Sequence, residues 1–162
     1  TVYNYLAFHL EGAPFLLPPS LASLLFTAYL AGTASSRVAG AIAERLGTRP
    51  VLIASSGVML AGLALTLVEQ LAVVIAGLIV LTAGFFAGHA SASAAIGQRA
   101  ASGRAQATSV YTLGYYAGSS LFGWLGGYAY LAGDWMAVVG LVAALATIAG
   151  VVAIVGARSP HH

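Results

Sequence analysis

A chain of 162 residues is the size of one domain, yet only 6% of its residues are charged against 60% hydrophobic, and its mean hydropathy is +0.93. An ordinary soluble domain carries about 25% charged residues, so too little polar surface exists to cover a globule in water: a soluble enzyme and a disordered tail are excluded, and the chain reads as an integral membrane protein. Six arginines, no lysine and four acidic residues leave a net charge of +2, too little basic surface to displace counterions from a nucleic acid, while the lack of cysteine removes disulfides, thiolate metal sites and thiol catalysis together.

The chain opens at Thr1 inside an apolar run, with neither an initiator Met nor the basic region of a signal peptide, and is expected to be a piece of a longer protein. A helix needs about 20 residues to cross the hydrocarbon, with its backbone polar groups satisfied internally. The first apolar run, Thr1 to about Leu17, is broken by Glu11-Gly-Ala-Pro14 and reads as the outer half of a truncated helix. Five full segments follow: Leu21 to Ala43, Val51 to Val68, Leu71 to Ile96, Ala107 to Leu131 and Trp135 to Val155. The expected fold is thus an all-α membrane protein, a six-transmembrane-helix bundle over residues 1–158 with its first helix truncated. Residues 159–162 form a tail whose His161 and His162 are a natural end or a tag remnant, outside any metal argument.

Short cytoplasmic loops collect arginine. Arg45 and Arg49 follow the second segment, Arg99 and Arg104 the fourth and Arg158 the sixth, with Arg37 near the same end of the second; Glu11, Glu69 and Asp134 fall at the opposite end, together with Tyr128, Tyr130 and Trp135 at aromatic-belt depth. Both termini are expected in the cytoplasm.

The third and sixth segments are almost wholly aliphatic, with Ser55, Ser56, Thr66 and Thr147 as their few polar side chains, and are expected to face lipid. Tyr29, Thr33, Ser36 and Gly40 make a stripe on the second segment, and Thr82, His89 and Ser93 one on the fourth, both suited to face protein or water. In the fifth, Gly114 with Gly118 and Gly123 with Gly127 are small-xxx-small pairs of the kind that bring helices together.

Between the second and third segments stands Gly40-Ala-Ile-Ala-Glu44-Arg45-Leu-Gly47-Thr48-Arg49-Pro50. Gly40 allows close packing, Glu44 and Arg45 ionise at the interface, Gly47 supplies a turn, and Arg49 with Pro50 opens the next helix. This stretch resembles the cytoplasmic signature loop of the major facilitator superfamily, Gly-x-x-x-Asp-Arg-x-Gly-basic-basic, departing from it in Glu44 for Asp and Thr48 for the first basic residue. The fourth segment has no Arg and the fifth no Pro, unlike the N-terminal half of that family, so the resemblance is to the C-terminal six-helix half of bacterial efflux-type members.

The resemblance implies a secondary transporter of the bacterial inner membrane, in which two six-helix halves rock about a midplane cavity. It implies as partners the N-terminal half of the same transporter, or a second copy in a homodimer if this half is isolated, together with the bilayer and a small organic substrate, and it implies no cofactor. Gly40, Glu44, Arg45, Gly47 and Arg49 become a conformational latch. Ionisable and polar groups inside hydrocarbon are functional candidates, which makes His89 and Asn4 cavity candidates; Tyr3, Tyr29, Tyr111 and Tyr115 join them, offering flat faces with a hydroxyl to an organic solute. Each has a plainer reading: His89 satisfied by a neighbouring hydroxyl, the tyrosines filling helix interfaces, Glu11 a solvated carboxylate.

Two other classes of membrane protein lack their motifs here. An intramembrane serine protease needs a Gly-x-Ser-Gly turn before its histidine, and here Gly118-Ser119-Ser120 lacks the closing glycine and follows His89; no catalytic residue is expected. An aquaporin-like channel needs Asn-Pro-Ala repeats, which the sequence lacks. A self-associating six-helix module without transport of its own is the alternative to a transporter half.

Overall fold

The computed structural model describes residues 1–22, 28–100 and 102–156. Part of the expected Leu21–Ala43 segment, Arg158 and the tail with His161 and His162 lie outside the described residues. Those described form the helices α1 (Val2–Glu11), α2 (Pro19–Ala22), α3 (Tyr29–Leu46), α4 (Thr48–Leu65), α5 (Leu71–Arg99) and α6 (Arg104–Val155). Among the described residues, three helices are long and apolar enough to cross a membrane, over Thr48–Leu65, Leu71–Gln98 and Arg104–Val155.

The turns fall where the sequence relaxes its apolar character. Helix α3 runs through Glu44 and Arg45, so the whole connection to α4 is Gly47, at φ 86 and ψ 163, its N–H bonded to Ala43 O at 2.9 Å. A side chain is strained at positive φ, and glycine is not. Pro50 sits in the first turn of α4, where no intrahelical N–H bond is lost. Helix α5 extends to Arg99 and α6 starts at Arg104, which shortens the expected gap between the segments ending at Ile96 and starting at Ala107 to residues 100–103.

Helix α6 spans 52 residues but is interrupted at Gly133 (φ −165, ψ 34) and Asp134 (φ 49, ψ −147). The chain turns back there. Trp135 Nε1 donates to Thr66 O at the end of α4 (3.1 Å), and Arg49 at the start of α4 donates from Nη2 to Ile154 O (2.9 Å), so the second arm of α6, 135–155, lies antiparallel to α4. Helices α4 and α5 are antiparallel too, since Gly62 meets Gly77 and Leu81 while Ser55 meets Gly84 and Gly88. The first arm, 104–132, descends α5 in reverse, with Thr108 near Gly97 and Tyr111 against His89. These directions gather Arg45, Arg49 and Arg104 at one end of the bundle, and Glu11, Glu69 and Asp134 at the other.

The core joins α1, α4, α5 and the second arm of α6 through Leu6, Leu10, Leu63, Val74, Leu78 and Val138. Lipid tails are as apolar as these side chains, so close packing rather than water exclusion holds such helices together. A Cβ on Gly62 would stand 2.7 Å from Leu81 Cα and 2.8 Å from Gly77 O; only glycine permits that approach.

The expectation that the third and sixth segments simply face lipid needs correcting. Helix α4 buries Ser55, Ser56 and Thr66, each hydroxyl satisfied by its own helix at Val51 O (2.6 Å), Leu52 O (3.1 Å) and Leu63 O (2.7 Å), and exposes Ala54, Gly57, Val58 and Ala61. Its small polar residues are the packing face: Ser56 meets Gly150 of the second arm of α6, and Ser55 meets Gly88 of α5. The second arm likewise buries Val138, Val142, Ala146 and Gly150 while exposing Gly140, Ala144 and Ile148.

Candidate functional site

Helices α1, α3, α5 and the first arm of α6 bring a row of aromatic rings together. Tyr3 of α1 lies 4.7 Å, centroid to centroid, from Tyr29 at the start of α3. Tyr29 meets Phe86 of α5 edge-on at 5.7 Å, Phe86 meets Phe85 edge-on at 5.6 Å, and Phe85 stacks on His89 at 5.8 Å and 12°. His89 faces two rings of α6, Tyr115 at 4.5 Å and Tyr111 at 5.5 Å. The two edge-on contacts of Phe86 set the positive edge of one ring against the negative face of the next, while the others are stacked or tilted.

Two polar contacts pin the row. Tyr3 Oη and Thr82 Oγ1 share a hydrogen bond of 2.8 Å, with Thr82 buried in α5. Tyr111 Oη lies 2.9 Å from His89 Nδ1 and 3.3 Å from His89 O. The helices come close enough because Gly32 of α3 takes the ring of Phe86 against its backbone, where a Cβ would meet Phe86 Cδ2 at 2.6 Å.

Five of the six cavity candidates, Tyr3, Tyr29, His89, Tyr111 and Tyr115, therefore share one row. Asn4 does not. One helical step beyond Tyr3, it is exposed, and its Nδ2 lies 3.3 Å from where a Cβ of Gly123 would stand. Tyr111 supplies His89 with the neighbouring hydroxyl of its plainer reading.

Sequence reasoning missed Phe85, Phe86 and Tyr5. The two phenylalanines stand four and three residues before His89, the spacing that puts side chains on one helical face, and that was the available signal. Tyr5 ties α1 to α6: its Oη donates to Gly123 O at 2.7 Å, and its ring lies against Tyr130 at 5.8 Å. Of the glycine pairs in α6, Gly123 and Gly127 do receive α1, a Cβ on Gly127 standing 3.0 Å from Tyr5 Oη, but a Cβ on Gly114 or Gly118 would meet no other described residue within 4 Å. Leu113, Gly114 and Tyr116 are exposed around them.

In the signature loop, Gly47 makes the turn and Arg49 holds the end of α6, while Glu44 and Arg45 are exposed. Gly40 is also exposed, with open space where a Cβ would go. It packs against no helix of the described chain, which corrects the expectation of close packing within this bundle.

Comparison with known proteins gives a match to the family described as Major Facilitator Superfamily over residues 2–162. The chain is 41% identical over 149 residues to the inner membrane transport protein YnfM of Escherichia coli, covering 92% of this chain and 36% of that protein. It is 36% identical over 148 residues to the uncharacterized MFS-type transporter YybF of Bacillus subtilis, covering 91% and 37%. An uncharacterized transporter of Buchnera aphidicola from Acyrthosiphon pisum, BU588, is 39% identical over 138 residues, covering 85% and 34%. The chain thus spans about a third of the length of these curated relatives. No solved structure matches.

Proposed function

The chain belongs to the major facilitator superfamily, a family of transporters rather than enzymes, and from that premise we propose that it forms the C-terminal six-helix half of a secondary transporter that moves a small organic solute out of the cell by alternating access. In this reading α1 is part of the first crossing, α3, α4 and α5 are the next three, and the two arms of α6 are the fifth and sixth. The end bearing Arg45, Arg49 and Arg104 faces the cytoplasm of a bacterial cell, by the tendency of short cytoplasmic loops to collect arginine, and both termini lie on that side of the inner membrane.

The observation that carries the reading is the open face. Among the described residues nothing lies within 4 Å of where a Cβ of Gly114 or Gly118 would stand, and Val110 and Leu121, on the same side of the helix, are 70% and 51% exposed. A groove of bare glycines lets another backbone approach closely, so a second helical unit suits this face. The N-terminal half of the same transporter is that unit; a second copy could stand in for it if this half were isolated. Between the two units the aromatic row becomes one wall of a midplane cavity. The loop residues Gly40, Glu44, Arg45, Gly47 and Arg49 lie at the cytoplasmic surface, remote from that wall, and act as a latch between states rather than as a binding site.

The test is transport by the full-length protein in inside-out membrane vesicles. An imposed proton gradient is expected to drive accumulation of an aromatic dye, and accumulation is expected to fall at least tenfold when Tyr29 and Tyr115 are both replaced by Ala. Vesicles that accumulate no solute under any gradient would overturn the transporter reading, and a double variant with wild-type accumulation would remove the row from the cavity.

A further inference from the structure

His89 holds one ring nitrogen and offers the other. Its Nδ1 lies 2.9 Å from Tyr111 Oη, whereas among the described residues nothing bonds its Nε2. The ring is half-buried, stacked on Phe85 at 12° and 4.5 Å from Tyr115. A neutral imidazole has one N–H and one lone pair, and the bond made by one nitrogen sets the character of the other.

The hydroxyl of Tyr111 has a single proton and two neighbours, Nδ1 and the carbonyl oxygen of His89 at 3.3 Å. If that proton went to Nδ1, the hydroxyl oxygen would turn its lone pairs toward the carbonyl, and only one hydrogen bond would form. If Nδ1 carries the proton instead, it donates to the hydroxyl, the hydroxyl donates to the carbonyl, and both contacts are hydrogen bonds. The contact at 3.3 Å is long, yet it decides the tautomer because the alternative opposes two lone pairs. Nε2 then carries the lone pair, on a ring that Phe85 and Tyr115 flank.

We propose that His89 Nε2 accepts a hydrogen bond from the transported solute, and that this solute is a planar aromatic molecule carrying an N–H or O–H donor at its edge. The inference rests on the reading of the chain as a cavity-lining transporter half. The rings of Phe85 and Tyr115 suit a flat solute, stacking being tolerant of its exact outline, and Nε2 is the feature that tells a donor-bearing solute from one without a donor. Tyr111 is a positioning residue: it acts by fixing the tautomer.

The experiment has two arms, both on the full-length transporter in lipid nanodiscs. The first is nitrogen NMR of labelled histidine, with His89→Asn identifying the resonances by difference; the expected pattern is a protonated Nδ1 and an unprotonated Nε2, and Tyr111→Phe is expected to release it into a mixture of tautomers. The second is binding of two neutral flat fluorophores by fluorescence anisotropy: carbazole, which carries one N–H at its edge, and N-methylcarbazole, in which a methyl group replaces that hydrogen. Wild type is expected to bind carbazole about tenfold more tightly, a factor in the range of one net hydrogen bond. His89→Gln, which keeps an acceptor, is expected to retain most of that preference, and His89→Phe to bring the ratio to about one. A protonated Nε2, a preference unchanged in His89→Phe, or failure of wild type to bind carbazole would each overturn the inference. Solute exchange in vesicles separates the two claims: exchange that persists without the donor preference sinks this inference alone, and absence of all exchange sinks the transporter reading beneath it.

Discussion

Between α4 and α5, Gly62 and Gly77 bring two backbones so close that a single added carbon would stand within 2.8 Å of main-chain atoms on the facing helix; in the first arm of α6, a carbon added to Gly114 or Gly118 would meet no other described residue within 4 Å. The same residue type marks a finished interface in one region and an unfinished one in the other. In a chain this apolar, burial alone does not separate protein-facing from lipid-facing surface, and the informative contrast is which glycines already have a neighbour. Both faces of α4 are apolar or small, yet one is closed by Ser55, Ser56 and Gly62 and the other is left to Ala54, Gly57 and Val58.

The largest expected effect breaks the closed side. Gly62→Leu drives a side chain into the backbone of Leu81, which cannot yield as a flexible side chain would, and overpacking of this kind costs about 3 kcal/mol or more. The full-length protein is expected to lose most of its folded yield in detergent and to melt well below wild type. Gly114→Leu is the matched change on the open side: within this chain it meets nothing, replaces a poor helix former, and is expected to shift stability by only about 1 kcal/mol, while slowing exchange between inward-open and outward-open states. Equal destabilisation by both variants would erase the contrast.

A smaller effect sharpens it on one helix. Tyr5→Phe removes the hydrogen bond to the carbonyl of buried Gly123, and is expected to cost about 1 kcal/mol by thermal unfolding. The smallest equilibrium effect belongs to the loop. Arg45→Ala is expected to leave solute affinity within a few-fold of wild type, because Arg45 is exposed at the end of the bundle, and to slow interconversion of the two open states in stopped-flow exchange. A large affinity loss with unchanged interconversion would place Arg45 at the binding site instead.

Much of the fold could be read from the sequence at its breaks. Gly47, Glu69-Gln70 and Gly133-Asp134 interrupt otherwise continuous apolar runs, and the helices end or bend at each of them. What could not be read was rotation. A helix whose every face is apolar has no periodic signal to say which face is buried, so the closed side of α4 and the openness around Gly40 and Gly114 escaped notice. The site was legible through its polar atoms. His89 and the tyrosines stand out against aliphatic neighbours, whereas Phe85 and Phe86 blend into them and emerge only through ring contacts. Asn4 shows the converse: polarity singled it out, but one residue of helical rotation sends it to Gly123 rather than to the row.

The account turns on the open face around Gly118 being lined by protein and water rather than lipid. Single cysteines at Gly118 and at Gly57, which is exposed on the opposite kind of surface, can be compared in full-length transporter stripped of other thiols and reconstituted in vesicles, using a membrane-impermeant maleimide. The account predicts that the cysteine at Gly118 is labelled at a rate that changes at least severalfold when saturating solute is added, while the one at Gly57 stays unlabelled with or without solute. Equal, solute-independent protection of both positions would place Gly118 in lipid and contradict the claim that this face meets a second helical unit across a transport cavity.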